Sequence, residues 1–326
     1  MSTPTFPVTH VDDRDERLTA ALDAFRQGEI RGTDVARLSD LRRDELKRVR
    51  GVWRDLPEEH RIALVRWMNQ LSEDRVELTF GRMLRHALQD ESAAVRQLAL
   101  GAMWEDEDRD LVSLLTTLLR DDPDQGVRAE AAALLGRCVD RIATEESDPT
   151  TTGAVRESLL ACWHDPVEAP IVRRRALEAV SGLGADPVIQ QAIAGAYDDG
   201  DATLTAGAVR AMGRTVSASY FGTILAELAS DDAELRYEAA LAAGELSDER
   251  AVPELISLLD DDDVDVKLAA AGALGRIGGK AAVQALEAHA EAAAEVEDPV
   301  LDQDVLSDTI AEAMLSVDPL QAPPVS

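Results

Sequence analysis

Lysine is almost missing from this chain of 326 residues, with Lys47, Lys267 and Lys280 its only three. Cysteine is scarcer still. Cys138 and Cys162 stand alone, too few for a disulfide framework. They also lack a CxxC spacing, which argues against a zinc site or a thiol nucleophile. Aromatic residues are 3% of the sequence, so any core must be built from Ala, Leu, Val and Ile. No apolar run is long: the strongest, near Leu111–Leu119, falls far short of the ~20 residues that span a bilayer. The opening MSTPTFPVTHVDDRDER has neither the basic nor the apolar region of a secretory signal. The expectation is a soluble, cytoplasmic protein.

Acid, by contrast, is abundant. Sixty-three acidic against 33 basic residues give a net charge of −30. A field of that sign repels phosphate and anionic lipid, so nucleic-acid and membrane partners are disfavoured. The excess reads as a solubility device, of the kind a salt-rich cytoplasm favours, in preference to an acidic docking face. Hydrophobic residues, at 45%, suffice for a core, and an Ala- and Leu-rich core beside many charges is a helical composition.

A block recurs along the chain. DVDVKLAAAGALGRI at 263–277 is echoed by AELRYEAALAAGEL at 233–246, PIVRRRALEAVSGL at 170–183, QGVRAEAAALLGRCV at 125–139 and SAAVRQLALGAM at 92–103, and more loosely by 202–212. The first apolar residues are Val95, Val127, Val172, Leu204, Leu235 and Val266, at steps of 32, 45, 32, 31 and 31. The long step predicts an insertion near 140–165, carried by the polar run Thr144–Gly153. Between blocks lies a second helical pattern, as in AVPELISLLD at 251–260, where Val252, Leu255, Ile256 and Leu259 share one face. Pro253 suits a first turn. The acids of Asp260–Asp263 suit the N-terminus of the next helix, and Gly278–Gly279 suit its end. Each unit is therefore helix A, an acidic turn, helix B and a Gly-containing turn, and must stack on neighbours to hide its apolar faces.

The D-x-x-V-R-x-x-A-A-x-A-L-G block resembles HEAT repeats, in particular the short subtype of the phycobilisome lyases, over about Leu88–Gly279 with a degenerate closing unit near Leu301–Leu315. The resemblance implies an all-α protein, an α-solenoid wound as a right-handed superhelix with B helices on its concave side. Helical spacing over Arg17–Gln27, Asp40–Leu56, Glu58–Leu71 and Arg75–Leu88 predicts a diverged N-terminal cap at 14–87, with repeats over 88–315. Residues 1–13 and 316–326 are expected to be disordered tails.

The resemblance fixes architecture, and the family includes scaffolds, adaptors, a few chromophore lyases and a metal-dependent hydroxylase. The hydroxylase, deoxyhypusine hydroxylase, holds two irons through His-Glu pairs, and none of His10, His60, His86, His164 and His289 is followed by Glu. A lyase needs aromatics and cations in one cleft, whereas here the aromatics are dispersed. The basic concave track of helical-repeat DNA glycosylases is equally missing. Asp260–Asp263 with Asp265 fails as a calcium loop, because the sixth and twelfth positions from Asp261 hold Val266 and Gly272. The row Arg96, Arg128, Arg173, Arg236 and Lys267 is expected to pair with aspartates of the preceding turn, such as Asp121, Asp122, Asp231 or Asp232, as a ladder between repeats.

No catalytic residue, metal or cofactor is therefore assigned, and the reading is a non-enzymatic scaffold for a protein partner. The alternative is a phycobilin-lyase-like enzyme or subunit with a small molecule in the concave cleft. Candidate contacts are Arg174 and Arg175 of helix B, Tyr237 two repeats on, and Trp104 at the end of an earlier helix B, since Arg and aromatics make hot spots. Arg43, Lys47, Arg50 and Arg54 form a basic face at i, i+4, i+7 and i+11. That face reads as an ordinary amphipathic helix or as an anchor for an acidic partner.

Overall fold

The computed structural model describes residues 12–103, 110–144, 149–184 and 186–295, all helix and turn with no strand among them. The candidate contact Trp104, the closing unit at 301–315 and the tail at 316–326 lie outside the described residues. The chain divides into two compact units, Met1–Leu134 and Leu135–Ser326.

In the first unit α1 (Asp12–Arg26) is followed by a short α2 (Gly32–Val35), α3 (Arg43–Trp53), α4 (Glu58–Asp74), α5 (Gly81–Ala87), α6 (Ala93–Gly101) and α7 (Asp110–Asp121). Helix α8 (Gln125–Thr144) runs across the boundary. The second unit continues with α9 (Pro149–His164), α10 (Pro170–Ser181), α11 (Pro187–Tyr197), α12 (Ala202–Arg214), α13 (Phe221–Glu227), α14 (Ala233–Leu246), α15 (Val252–Ser257), α16 (Val264–Ile277) and α17 (Lys280–Glu295). Every block read from sequence is a B helix: α6, α8, α10, α12, α14 and α16. In the second unit α10, α12, α14 and α16 pack in succession, with α11, α13 and α15 each against the B helix that follows.

Alanine makes this stacking close. Ala239, Ala240, Ala242 and Ala243 of α14 and Ala269, Ala270, Ala271 and Ala273 of α16 are all buried. At one crossing even alanine is too large: a Cβ on Gly213 of α12 would lie 2.5 Å from the Cα of Ala242. The acidic turns start the B helices. Asp124, Asp201, Asp232 and Asp263 each accept a backbone N–H of the first turn, and Ser92 does the same for α6. Much of the Asp excess near these turns thus satisfies donors that a helix start leaves without partners.

One expectation needs revision. Arg75–Leu88 is helical only from Gly81, and α5 is helix A of the first block's hairpin. The 45-residue step holds long helices, α8 of 20 residues and α9 of 16. The segment before Leu88 is also less divergent than its sequence. Helix α4 packs on α6 in the B position, and its Arg61 makes the inter-repeat contact described next.

Candidate functional site

The ladder of arginines exists, with its direction reversed. Arg96 on α6 donates Nε and NH2 to both carboxylate oxygens of Asp122 at 2.8 Å, in the turn after its own repeat. Its NH1 reaches the carbonyls of Asp90 and Glu91 in the turn before. Arg236 on α14 repeats this with Asp261 ahead, at 2.7 and 2.8 Å, and the carbonyls of Ser230 and Asp231 behind. Arg61 does so with Asp90, 3.1 Å away, and the Leu56 carbonyl. The preceding carboxylates are otherwise engaged: Asp232 caps its own helix. In each turn ahead one Asp takes the arginine and also accepts the N–H two residues on, at Ser92, Asp124 or Asp263. That following residue caps the next helix. One guanidinium thereby ties two successive turns together bidentately, the strong form of such a pair.

The repeats of α10 and α12 depart from this pattern. Thr205 replaces the arginine on α12. Arg173 on α10 donates to the Trp163 carbonyl and lies 4.6 Å over the Trp163 ring. In their place stands a buried ion cluster around Arg174. Its Nε donates to Glu178 one turn along α10 at 2.7 Å, NH1 to Glu234, and NH2 to Glu238 on α14. To reach α14 from α10 the side chain crosses α12 at Gly207, where a Cβ would lie 2.5 Å from the Arg174 Cγ. Arg175 donates to the other oxygen of Glu178 at 2.8 Å, and Arg210 on α12 reaches Glu245 at 2.8 Å.

Three arginines thus face four glutamates, a surplus of one negative charge. Burial works against the charge of Arg174, yet its bonds to Glu178 and Glu234 and the attraction of Glu238 outweigh it and hold the guanidinium protonated well above its ordinary range. Glu238 fares less well. Burial, with repulsion from Glu178, lifts its carboxyl to about 7 despite the pull of Arg174. The asymmetry has a plain cause: Arg174 gains from three carboxylates, while Glu238 shares one cation with two of its own kind. The second oxygen of Glu238 has no hydrogen-bond donor among the described residues, and Arg210 Nε comes no nearer than 3.9 Å. A carboxyl raised from 4.5 to about 7 by folding binds its proton more tightly in the folded chain. Its contribution to stability is therefore full at low pH and is lost as pH rises through that window. Glu238→Gln should erase this slope. Thermal melts of the two proteins should coincide near pH 5 and separate by pH 8 with the Gln variant higher. Parallel curves would show that Glu238 does not titrate there.

The residues singled out by sequence are scattered. Arg174 is 6% exposed with its donors spent on glutamates, so it clamps helices and presents no contact. The reason is Gly207, which opens a path across α12. Arg175 is half-exposed and Tyr237 half-buried. Arg43, Lys47, Arg50 and Arg54 are exposed on α3. Sequence reading passed over Glu178, Arg210 and Glu238, and also the neighbours of Tyr237 on its B-helix face. Leu241 follows one turn on along α14, and Leu268 holds the Tyr237 position on α16; both are half-buried. Their signal was present as apolar residues at positions outside the buried stripe. Among the described residues no three His, Cys, Asp or Glu side chains are placed to hold a metal ion, and no helix is long and apolar enough to cross a membrane.

Comparison with known proteins agrees with this build. The model for HEAT repeats matches residues 81–150 and 223–298. No curated protein matches the sequence. Among solved structures, human deoxyhypusine hydroxylase in complex with glycerol is 20% identical, covering 93% of this chain and 96% of that one at a TM-score of 0.36. The CpcE–CpcF complex of phycocyanin lyase from Nostoc is 22% identical, covering 72% and 95% at a TM-score of 0.47. The Cnd3–Cnd2 condensin subcomplex of S. pombe is 19% identical, covering 79% and 40% at 0.43. Likenesses this distant carry no functional inference. The family match, by contrast, falls on hairpins whose packing and ladder have just been described. The chain carries HEAT repeats over residues 81–150 and 223–298.

Proposed function

We propose that this protein is a non-enzymatic, cytoplasmic scaffold that binds another protein on the B-helix face of its second unit. The observation that carries the reading is the row Tyr237, Leu241 and Leu268. These are half-buried apolar side chains on adjacent, rigidly packed helices, next to Gly272, which has open space above it. The polar groups beside them, Arg175, Arg210 and Glu245, are held in the ion cluster. An aromatic anchor ringed by fixed charges on a stiff support is the composition of a protein-binding hot spot. Affinity arises from a surface ordered before the partner arrives, and no covalent step is involved.

Crosslinking in cell extract followed by mass spectrometry tests this. Wild type should yield a protein crosslinked to α14 and α16, and Tyr237→Ala with Leu268→Glu should remove it while the thermal midpoint holds. Crosslinks that survive both changes, or a purified protein that carries a stoichiometric small molecule in their place, would overturn the assignment.

A further inference from the structure

The first unit carries a surface that this reading does not use. Helix α3 buries Val49, Val52 and Trp53. Arg43, Lys47 and Arg50 on α3, with Arg54 just past its end, point the other way and are exposed. At about 100° per residue the four fall within a stripe about 60° wide, and a rise of about 1.5 Å per residue makes it about 16 Å long. None of the four side chains makes a hydrogen bond or ion pair among the described residues, and the exposed Asp44 and Asp55 on its flank do not pair with it. Neighbouring arginines behave differently: Arg48 is bonded to Asp15, Arg14 to Glu45 and Arg61 to Asp90. In a chain with 63 acidic and 33 basic residues, four aligned cations without a carboxylate are conspicuous. Their field is felt locally. His86 on α5, edge-on to Trp53 at 6.0 Å, is held below its usual range by burial first and then by Arg50 and Arg54, against the pull of Asp90.

We infer that the stripe on α3 docks a short acidic segment of another protein, with carboxylates spaced to meet Arg43, Lys47, Arg50 and Arg54. Length selects the class of partner. Sixteen ångströms accommodates about three helical turns or about five extended residues. A nucleic acid or an anionic bilayer extends past the stripe into the field of a chain with net charge −30, which repels it. A short segment stays within reach of the cations, since salt screens the remaining acids beyond about 8 Å.

The test uses the full-length protein and a soluble Ala/Gln helix bearing Glu at i, i+4, i+7 and i+11. Binding at low salt should weaken steeply as salt is added. It should raise the His86 midpoint in an NMR titration, because carboxylates on the stripe offset Arg50 and Arg54. Lys47→Glu with Arg50→Glu, both on the exposed face, should lose at least about tenfold in affinity. Tyr237→Ala with Leu268→Glu should bind the peptide as wild type does, which separates this surface from the one proposed above. The inference is overturned if the peptide fails to bind or binds the charge-reversed protein equally. It is also overturned if a peptide with the same glutamates in scrambled order binds as well, or if duplex DNA or phosphatidylserine vesicles bind more tightly.

Discussion

Arg174→Ala should lower the unfolding free energy by ~3–5 kcal/mol at neutral pH, because it leaves buried carboxylates without their cation. Glu178 and Glu238 are 7% and 5% exposed, and no other guanidinium takes over both: Arg175 reaches only Glu178, and Arg210 Nε stays 3.9 Å from Glu238. The loss should shrink as pH falls from 8 to 5, since protonation of Glu238 relieves the same repulsion. Arg175→Ala is the control. Its side chain is 43% exposed and makes one shared contact, so its cost should stay within about 1 kcal/mol. A triple replacement of Arg174, Glu178 and Glu238 by leucines of roughly similar volume should recover most of the stability, as apolar packing does for other buried ion clusters. Urea melts at pH 8 and pH 5 read all three. A cost below about 1 kcal/mol for Arg174→Ala at pH 8 would mean that the cluster is solvated and does not join α10 to α14.

The parts of this design that a reader of the sequence could see are those written within one repeat. Val266, Ala269, Ala270, Ala273 and Leu274 announce a buried stripe because the helical period places them together, and Asp263 announces a cap because a cap acts on the next two or three residues. Contacts between repeats leave fainter marks. Arg236 lies near Asp232 in sequence and binds Asp261, in the turn one repeat ahead. Arg61 hides from the pattern because His60 stands where the blocks carry Val or Leu. Arg174 is the extreme case. Its bond to Glu238 skips an entire helix and depends on the absence of a side chain at Gly207, a residue that reads from sequence as an ordinary small position. The half-buried Tyr237, Leu241 and Leu268 show a related limit: apolar residues off the buried stripe look like noise until adjacent helices bring them side by side.

Leu274→Ala is the second large effect, and its interest lies in where the loss is felt. Leu274 is fully buried on α16, which packs against α14, α15 and α17. Removing its side chain costs the transfer of those methyl groups plus the cavity they leave, ~2–5 kcal/mol for a buried leucine. Collapse around the void is opposed by close backbone contact, because a Cβ on Gly244 of α14 would already lie 3.0 Å from the Cα of Ala273. The cost should therefore sit near the upper half of that range. In a stack where each repeat is stabilised by its neighbours, loss in one hairpin lowers the local stability of the next. Hydrogen exchange should then quicken in α14 as well as in α16, while the Asp122-bound turn of the first unit keeps its wild-type rates. Faster exchange confined to α16, or an unchanged thermal midpoint, would show that the hairpins hold their folds independently. The face formed by Tyr237 and Leu268 would in that case lack the rigid support from which its affinity for a partner is argued.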